Sequence, residues 1–186
     1  MPQKIFIVEH LEPELWPWCL IEYKNISKII GKNNLWFTNI KKDFSKLKNY
    51  GKVFQEKASS LNLKNPCILN SYSKETLTTK KSNQFQYFIF GGILGDNPPK
   101  KRTSELINSF KKIKTFNIGK KQIPTDNAVY VVSRIIKGES LKKIKFQDGI
   151  EIKINKIEST ILPYRYALIE NKPLLSRELI KYLKKN

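Results

Sequence analysis

The chain has 186 residues, of which 40% are hydrophobic and 11% aromatic. This composition predicts one folded domain over residues 1–186 and excludes a disordered chain. Lys and Arg number 35 against 16 Asp and Glu, so the net charge of +19 favours a polyanionic partner, or a partner within a polyanionic particle. An AT-rich genome would account for the many Lys residues, but it would not account for the shortage of acids.

Simple counts argue against several classes of protein. No segment approaches the roughly 18 unbroken apolar residues that a membrane span needs. The apolar run from Ile5 to Val8 is too short for a signal peptide, and we expect a cytoplasmic protein. Cys19 and Cys67 stand far apart and His10 is the single histidine, which argues against a disulfide framework and against a metal site.

Taken in chain order, short apolar strands alternate with helices. Pro17 suits the first position of a helix and Gly31 suits its end, while Thr103 or Ser104, and then Thr125, are predicted caps of two later helices. Strands are predicted at 5–8, 35–40, 53–55, 67–69, 85–90, 115–118, 150–154 and 166–169. Helices are predicted at 17–30, 103–112, 125–137 and 177–184, with a polar loop at 71–83. Within 41–60, a helix is also predicted before the strand at 53–55 and a short helix after it.

This alternation predicts an α/β sandwich around a mostly parallel sheet. The later strands, in which Ile150, Ile152 and Ile154 alternate with polar residues, predict a small antiparallel addition. In an open parallel sheet, ligands bind at the loops beyond the carboxyl ends of the strands. Three such loops stand out: the one after Leu69, the one at 91–99, and the one at 118–126.

The glycine-rich loop at 91–99 is the most informative of the three. Gly91, Gly92 and Gly95 allow the backbone to approach a ligand closely, and Ile93 and Leu94 between them are apolar. The loop contains neither a P-loop motif nor a dinucleotide-binding motif. It therefore suits an adenosine or a thioether-bearing ligand better than a row of phosphates, although a tight turn without a ligand is an equally good interpretation.

The segment from Phe85 to Leu106, which reads FQYFIFGGILGDNPPKKRTSEL, closely resembles the protein arginine methyltransferase family of the SPOUT superfamily. Members of that family are also described as predicted RNA methyltransferases. Further matching stretches cover nearly the whole chain in the same order: Val8 to Glu12, Leu20 to Tyr23, Gly119 to Asp126 and Leu162 to Tyr166.

The resemblance implies a SPOUT-type fold with a C-terminal trefoil knot that binds S-adenosylmethionine and releases S-adenosylhomocysteine. Tyr164, Arg165 and Tyr166 are expected to pack in the closing part of this site, and stacking on RNA bases is the alternative. Asp126 is a catalytic candidate, and capping of its own helix is an equally good interpretation. The cofactor-binding residues that the resemblance implies are Asn70, Gly91, Gly92, Gly95, Asp96, Gly119, Gln122, Ile123, Thr125 and Ala128.

An acidic island in this basic chain suggests the methyl acceptor. Neither Lys nor Arg occurs between Lys4 and Lys24, a stretch that contains four glutamates: Glu9, Glu12, Glu14 and Glu22. Carboxylates bind the N–H groups of a guanidinium and can take its proton as a new C–N bond forms. We predict that Glu9 and Glu12 are catalytic residues. The predicted substrate-binding residues are Glu9, His10, Glu12 and Glu22, although His10 also fits a structural role.

The sequence thus favours monomethylation of an arginine on a ribosomal protein, with possible contacts to ribosomal RNA. Three lysine groups are candidate RNA-binding patches: 111, 112 and 114; 120 and 121; and 142, 143 and 145. An RNA methyltransferase with the same pocket, and a non-catalytic RNA- or ribosome-binding protein, are the alternatives. The sequence pattern does not distinguish a monomer from a homodimer.

Overall fold

Six parallel strands form the main sheet of the protein, which the computed structural model describes at residues 3–95, 98 and 100–185. The strand order is β3-β2-β1-β5-β4-β6. The strands are β1 (Ile5–His10), β2 (Leu35–Thr38), β3 (Lys52–Val53), β4 (Pro66–Leu69), β5 (Tyr87–Gly92) and β6 (Lys114–Phe116). Because β1 and β5 pair in register to their last residues, His10 lies opposite Gly92 at the carboxyl edge of the sheet.

Helices cover both faces of this sheet. They are α1 (Pro17–Ile30), α2 (Phe44–Leu47), α3 (Thr79–Ser82), α4 (Thr103–Asn108), α5 (Thr125–Ile136) and α6 (Arg177–Leu183). Phe6 and Val8 of β1 pack in the core layer that includes α1 and α5, whereas Ile5 and Ile7 pack in the layer that includes α4. Both faces of β1 are therefore buried, which explains its continuous apolar sequence. Among the described residues, no helix combines the length and the apolar character that a membrane crossing requires.

A separate antiparallel sheet follows the main sheet in the chain. It contains β7 (Phe146–Lys153), β8 (Ser159–Ile169) and β9 (Lys172–Pro173), in that order. Ile150 and Ile152 of β7 pack with Leu162 and Tyr166 of β8, and Trp18 of α1 lies against this cluster. The predicted α/β fold with a parallel sheet and a small antiparallel addition is confirmed.

Several predicted elements differ from the structure in detail. β5 runs through Gly91 and Gly92, because its pairing with β1 continues to the end of that strand. The predicted helix at 103–112 ends at Asn108, and neither Thr103 nor Ser104 caps it, since Arg102 holds the cap position and the Ser104 hydroxyl donates to the Lys101 carbonyl. The predicted polar loop at 71–83 contains the short α3.

Thr125 also differs from its predicted role as a helix cap. It is the first residue of α5, Pro124 holds the cap position, and the Thr125 hydroxyl donates to the carbonyl of Gly91 (3.3 Å). The start of α5 is thereby attached to the end of β5. As a result, the start of the glycine-rich loop and the first turn of α5 lie next to each other.

The amide of Asn127 attaches α5 to the small sheet. Asn127 is fully buried, its Oδ1 accepts the backbone N–H of Ala167 (2.8 Å), and its Nδ2 donates to the carbonyl of Leu174 (3.0 Å). The N–H of Ala167 is buried and the carbonyl of Leu174 is half-buried, so both depend on the amide for hydrogen bonding.

We predict that Asn127→Ala lowers the free energy of unfolding by about 2 to 4 kcal/mol, because it leaves the buried N–H of Ala167 and the half-buried carbonyl of Leu174 without this partner. Denaturant unfolding measures this change. The exposed Asn108 at the end of α4 provides a control, since Asn108→Ala should change stability by less than about 0.5 kcal/mol. Equal effects of the two substitutions would contradict the structural role of Asn127.

Candidate active site

A cavity of about 420 Å³ lies at the carboxyl ends of β4, β5 and β6. This position is the one expected for a ligand in an open parallel sheet, and the volume lies in the range typical of small-molecule sites. Among the predicted cofactor residues, those that line it are Asn70, Gly91, Gly119, Gln122, Ile123, Thr125 and Ala128. The three loops singled out in the sequence therefore meet at one cavity.

The remaining predicted cofactor residues have other places. Gly92 is buried, and a Cβ there would collide with the Tyr23 hydroxyl of α1, so its absence of a side chain allows α1 to approach the sheet. Gly95 borders a second, smaller cavity, and the Tyr164 hydroxyl donates to its carbonyl (2.7 Å). Asp96 lies outside the described residues.

The walls of the larger cavity combine apolar side chains with polar backbone. Leu69, Phe90 and Ile118 supply apolar surface, while the side chains of Asn70 and Gln122 supply amides. Such walls suit a ligand that carries a flat heterocycle and an aliphatic thioether chain. The residues of this chain therefore fit an adenosine-type cofactor.

The cavity also has basic and aromatic residues that the prediction of cofactor contacts did not include. They are Tyr72, Lys100, Lys120, Lys121, Tyr164 and Arg165. Lys121 and Arg165 both bind Asp148, which lines the cavity as well (2.7 and 2.6 Å). Two features of the sequence indicate these residues. They are the predicted basic pair at 120 and 121, and Tyr164 and Arg165, which are predicted to close the site.

The second cavity has a volume of about 190 Å³ and contains two carboxylates, Glu22 of α1 and Asp126 of α5. It shares four wall residues with the larger cavity, so the two are neighbours: Ile93, Gln122, Ile123 and Tyr164. The rings of Trp18, Tyr164 and Tyr166 also line it. Carboxylates among aromatic rings are suited to bind a planar organic cation.

Burial controls the protonation of Glu22. Its side chain accepts a hydrogen bond from Trp18 Nε1 (2.9 Å) and is almost completely enclosed. Burial and, secondly, the charge of Asp126 raise the pKa of Glu22 to about 8. A cation placed between the two carboxylates would reverse both effects.

Burial likewise raises the pKa of Asp126, and hydrogen bonds from Asn127 and Asn25 partly offset it. Asp126 Oδ1 accepts the backbone N–H of Asn127 (2.7 Å), and Oδ2 accepts Nδ2 of Asn25 (2.7 Å). Asp126 thus occupies the first turn of α5 with its orientation determined by two asparagines. Asp126 does not hold the cap position, which belongs to Pro124, and its place in the wall of the second cavity is compatible with the predicted catalytic role.

Glu9 has a structural position. It is 1% exposed, it lines neither cavity, and its Oε2 accepts the Thr38 hydroxyl and the Ala58 backbone N–H, both at 2.7 Å. Strand alternation explains this, because Glu9 follows Ile5 and Ile7 on the face that packs against the layer containing Ala58 and α4. The structure therefore does not bring Glu9 together with Glu22 and Asp126.

His10 and Glu12 also lie outside the walls of the two cavities. His10 is buried, its Nδ1 is 2.8 Å from the Tyr23 hydroxyl, and burial lowers its pKa. Glu12 Oε1 accepts the backbone N–H of Leu94 (2.7 Å) and pairs with Arg102 (2.9 Å). Glu12 thus holds the glycine-rich loop, so its contact to the site is indirect.

Comparison with known proteins agrees with this geometry. The chain belongs to the protein arginine N-methyltransferase SFM1-like family, whose model matches residues 5–186. Protein arginine N-methyltransferase SFM1 of Saccharomyces cerevisiae is 33% identical over 97% of this chain and 94% of its own length.

Solved structures support the same relation. The crystal structure of yeast SFM1 complexed with SAM is 31% identical to this chain and superposes with a TM-score of 0.91, over 100% of this chain and 91% of the yeast chain. The same yeast enzyme has also been solved with SAH. A Trm10 structure from Thermococcus kodakaraensis, 15% identical with a TM-score of 0.63 over 75% of this chain and 96% of that chain, shares the fold. The predicted SPOUT-type fold is confirmed.

We predict that the titration of Glu22 lowers the free energy of unfolding as pH rises from about 4.5 to about 8, whereas His10, whose pKa burial lowers, contributes a slope of the opposite sign. The folded protein keeps a proton on Glu22 up to pH 8, whereas the unfolded chain releases it near 4.5, so this stabilisation is complete below pH 4.5 and lost through pH 8. The slope from one such group is at most about 1.4 kcal/mol per pH unit. Denaturant titrations of both proteins should show that the free energy of unfolding of the wild type, relative to that of Glu22→Gln, falls across this range, and a constant difference would contradict the burial of a titrating Glu22.

Proposed function

We propose that this protein transfers the methyl group of S-adenosylmethionine to an arginine side chain of a ribosomal protein. The adjacency of the two cavities carries the proposal, because one fits an adenosine-type cofactor and the other holds two carboxylates. The family, and the yeast relative solved with SAM and with SAH, support it.

The larger cavity would hold the cofactor through seven predicted residues that line it, from Asn70 to Ala128. When bound, S-adenosylmethionine supplies an electrophilic methyl group on a sulfonium. We also propose that the loops that follow β5 and β6 at this cavity are threaded as a trefoil knot, as the family resemblance implies. Their meeting at the ends of β5 and β6 is compatible with such threading.

The acidic cavity would bind and orient the acceptor. Glu22 and Asp126 accept N–H groups of the guanidinium, and the rings of Trp18 and Tyr166 exclude water from its faces. Because Ile93 and Tyr164 line both cavities, the cavities adjoin, and one guanidinium nitrogen in the acidic cavity would face the larger cavity. Alignment of this kind is the main contribution that an enzyme makes to methyl transfer.

The proton balance assigns a task to the buried carboxylates. As the bond between nitrogen and methyl carbon forms and the carbon–sulfur bond breaks, that nitrogen loses a proton, and a carboxylate oxygen of Glu22 or Asp126 accepts it. Arginine does not lose this proton beforehand, because its pKa lies above about 12. The bound guanidinium keeps both acids ionised, and their exclusion from water strengthens their attraction for the proton released in this step.

The charge of the protein supports a ribosomal protein as the acceptor. The net charge of +19 favours approach to a particle rich in phosphate, whereas the acidic cavity repels phosphate itself. A basic side chain that projects from such a particle satisfies both conditions. RNA as the acceptor would satisfy only the first.

We expect Glu22→Gln to lower methyl transfer at least a hundredfold and to leave cofactor affinity within about threefold, because glutamine keeps the hydrogen bond from Trp18 but lacks the charge and the base. Transfer of tritiated methyl groups into ribosomal proteins measures the rate. Glu178→Gln removes an exposed carboxylate paired with Lys28 and should have no effect.

The same assay identifies the acceptor. Label that protease releases and ribonuclease does not, and that hydrolysis recovers as methylarginine, is the expected result. Label released by ribonuclease alone would contradict the proposal in favour of an RNA methyltransferase. Equal rates for wild type and Glu22→Gln would remove the acidic cavity from the mechanism.

A further inference from the structure

An exposed aromatic side chain stands at the rim of the larger cavity. Tyr72 leaves half of its surface in solvent, although it also lines the cavity. The ammonium of Lys101 lies 5.1 Å from the centre of its ring. The exposed ring offers a flat face on which a planar group can stack, and the adjacent ammonium offers a positive charge, so this rim has the character of a binding surface.

The loop that carries Tyr72 is held in place by hydrogen bonds. Asn117, which is buried, donates from Nδ2 to the carbonyls of Ser73 (2.8 Å) and Glu75 (3.0 Å). Its Oδ1 accepts the Thr76 hydroxyl (3.1 Å). The exposed ring is therefore presented by an ordered loop, which lowers the entropic cost of binding a partner.

Basic side chains surround this ring. Lys120 Nζ donates to the carbonyl of Ser73 (2.6 Å), next to Tyr72, and Lys74 follows Ser73 in the chain. Within residues 3–95, 98 and 100–185, no carboxylate forms an ion pair with Lys74, Lys101 or Lys120. The acid of the same loop, Glu75, pairs with Lys81.

We infer that these four residues, Tyr72, Lys74, Lys101 and Lys120, form a binding surface for single-stranded RNA, here called the Tyr72 platform. Lysines bind phosphates as point charges, and an exposed tyrosine ring stacks against an unpaired base. An acidic peptide would use the lysines but not the ring. The charge and the ring together therefore favour single-stranded RNA over an acidic protein.

The biological role inferred for the platform, which is to hold the substrate particle, rests on the proposed function. It lies at the mouth of the larger cavity, whereas the predicted patch at 142, 143 and 145 lines neither cavity. RNA bound on the platform would hold the ribosomal particle while an arginine of a neighbouring protein enters the acidic cavity. RNA affinity can be measured without cofactor or methyl transfer, so failure of one proposal leaves the other open to its own test.

The experiment measures fluorescence anisotropy of a short labelled RNA of mixed sequence with the full chain, from about 50 to 200 mM salt. The double variant Lys74→Glu with Lys101→Glu should bind at least tenfold more weakly, and its salt dependence should fall by about 0.7 for each phosphate that the protein no longer neutralises. The matched control is Lys142→Glu with Lys143→Glu, which makes the same change in net charge at two exposed lysines away from the platform. It should lose less than threefold.

A second pair of variants tests the ring. Tyr72→Ala should weaken RNA binding about tenfold and leave the affinity for inorganic polyphosphate unchanged, while Tyr72→Phe keeps the RNA affinity. Circular dichroism confirms that each variant is folded. Equal losses for the two charge-reversed variants, or no loss for Tyr72→Ala, would overturn the platform and leave only a general electrostatic attraction.

Discussion

Two carboxylates held out of water beside each other are the constraint on which the site depends. Burying the charges of Glu22 and Asp126 is costly, and the protein reduces the cost with hydrogen bonds from Trp18, Asn25 and Asn127 and by retaining a proton on Glu22. A structure that needed only stability would place apolar residues there. The arrangement is understandable if a cationic guanidinium binds between the carboxylates, because that cation restores their charges and satisfies their lone pairs.

The scaffold explains why these acids meet at the cofactor cavity. Close contact between α1 and the sheet requires Gly92, since any side chain there would collide with Tyr23, and this contact sets the position of Glu22. The first turn of α5 is attached to β5 through Thr125 and to the small sheet through Asn127. Helices α1 and α5 therefore each supply one carboxylate to the second cavity, next to the glycine-rich loop.

Local patterns in the sequence predicted most of the fold but only part of the site. The apolar strands, the limits of α1 and the alternating Ile150 and Ile152 follow from short-range rules. The three ligand loops follow from the rule that ligands bind beyond the carboxyl ends of parallel strands. Of the four glutamates in the acidic island, Glu22 lines a cavity, but the island does not reveal which face of β1 Glu9 occupies, and Glu9 packs against Ala58 instead. Glu22 and Asp126 reach the same cavity from distant segments of the chain, which periodicity and composition do not encode.

The most direct test of the account is a crystal structure of the protein with S-adenosylhomocysteine and a short arginine peptide. We expect the sulfur in the larger cavity near Ile93, and the guanidinium between Glu22 and Asp126 with one nitrogen directed at the sulfur. Electron density that places the guanidinium against Glu9, or that leaves the acidic cavity without the side chain while the peptide is bound elsewhere, would contradict the account.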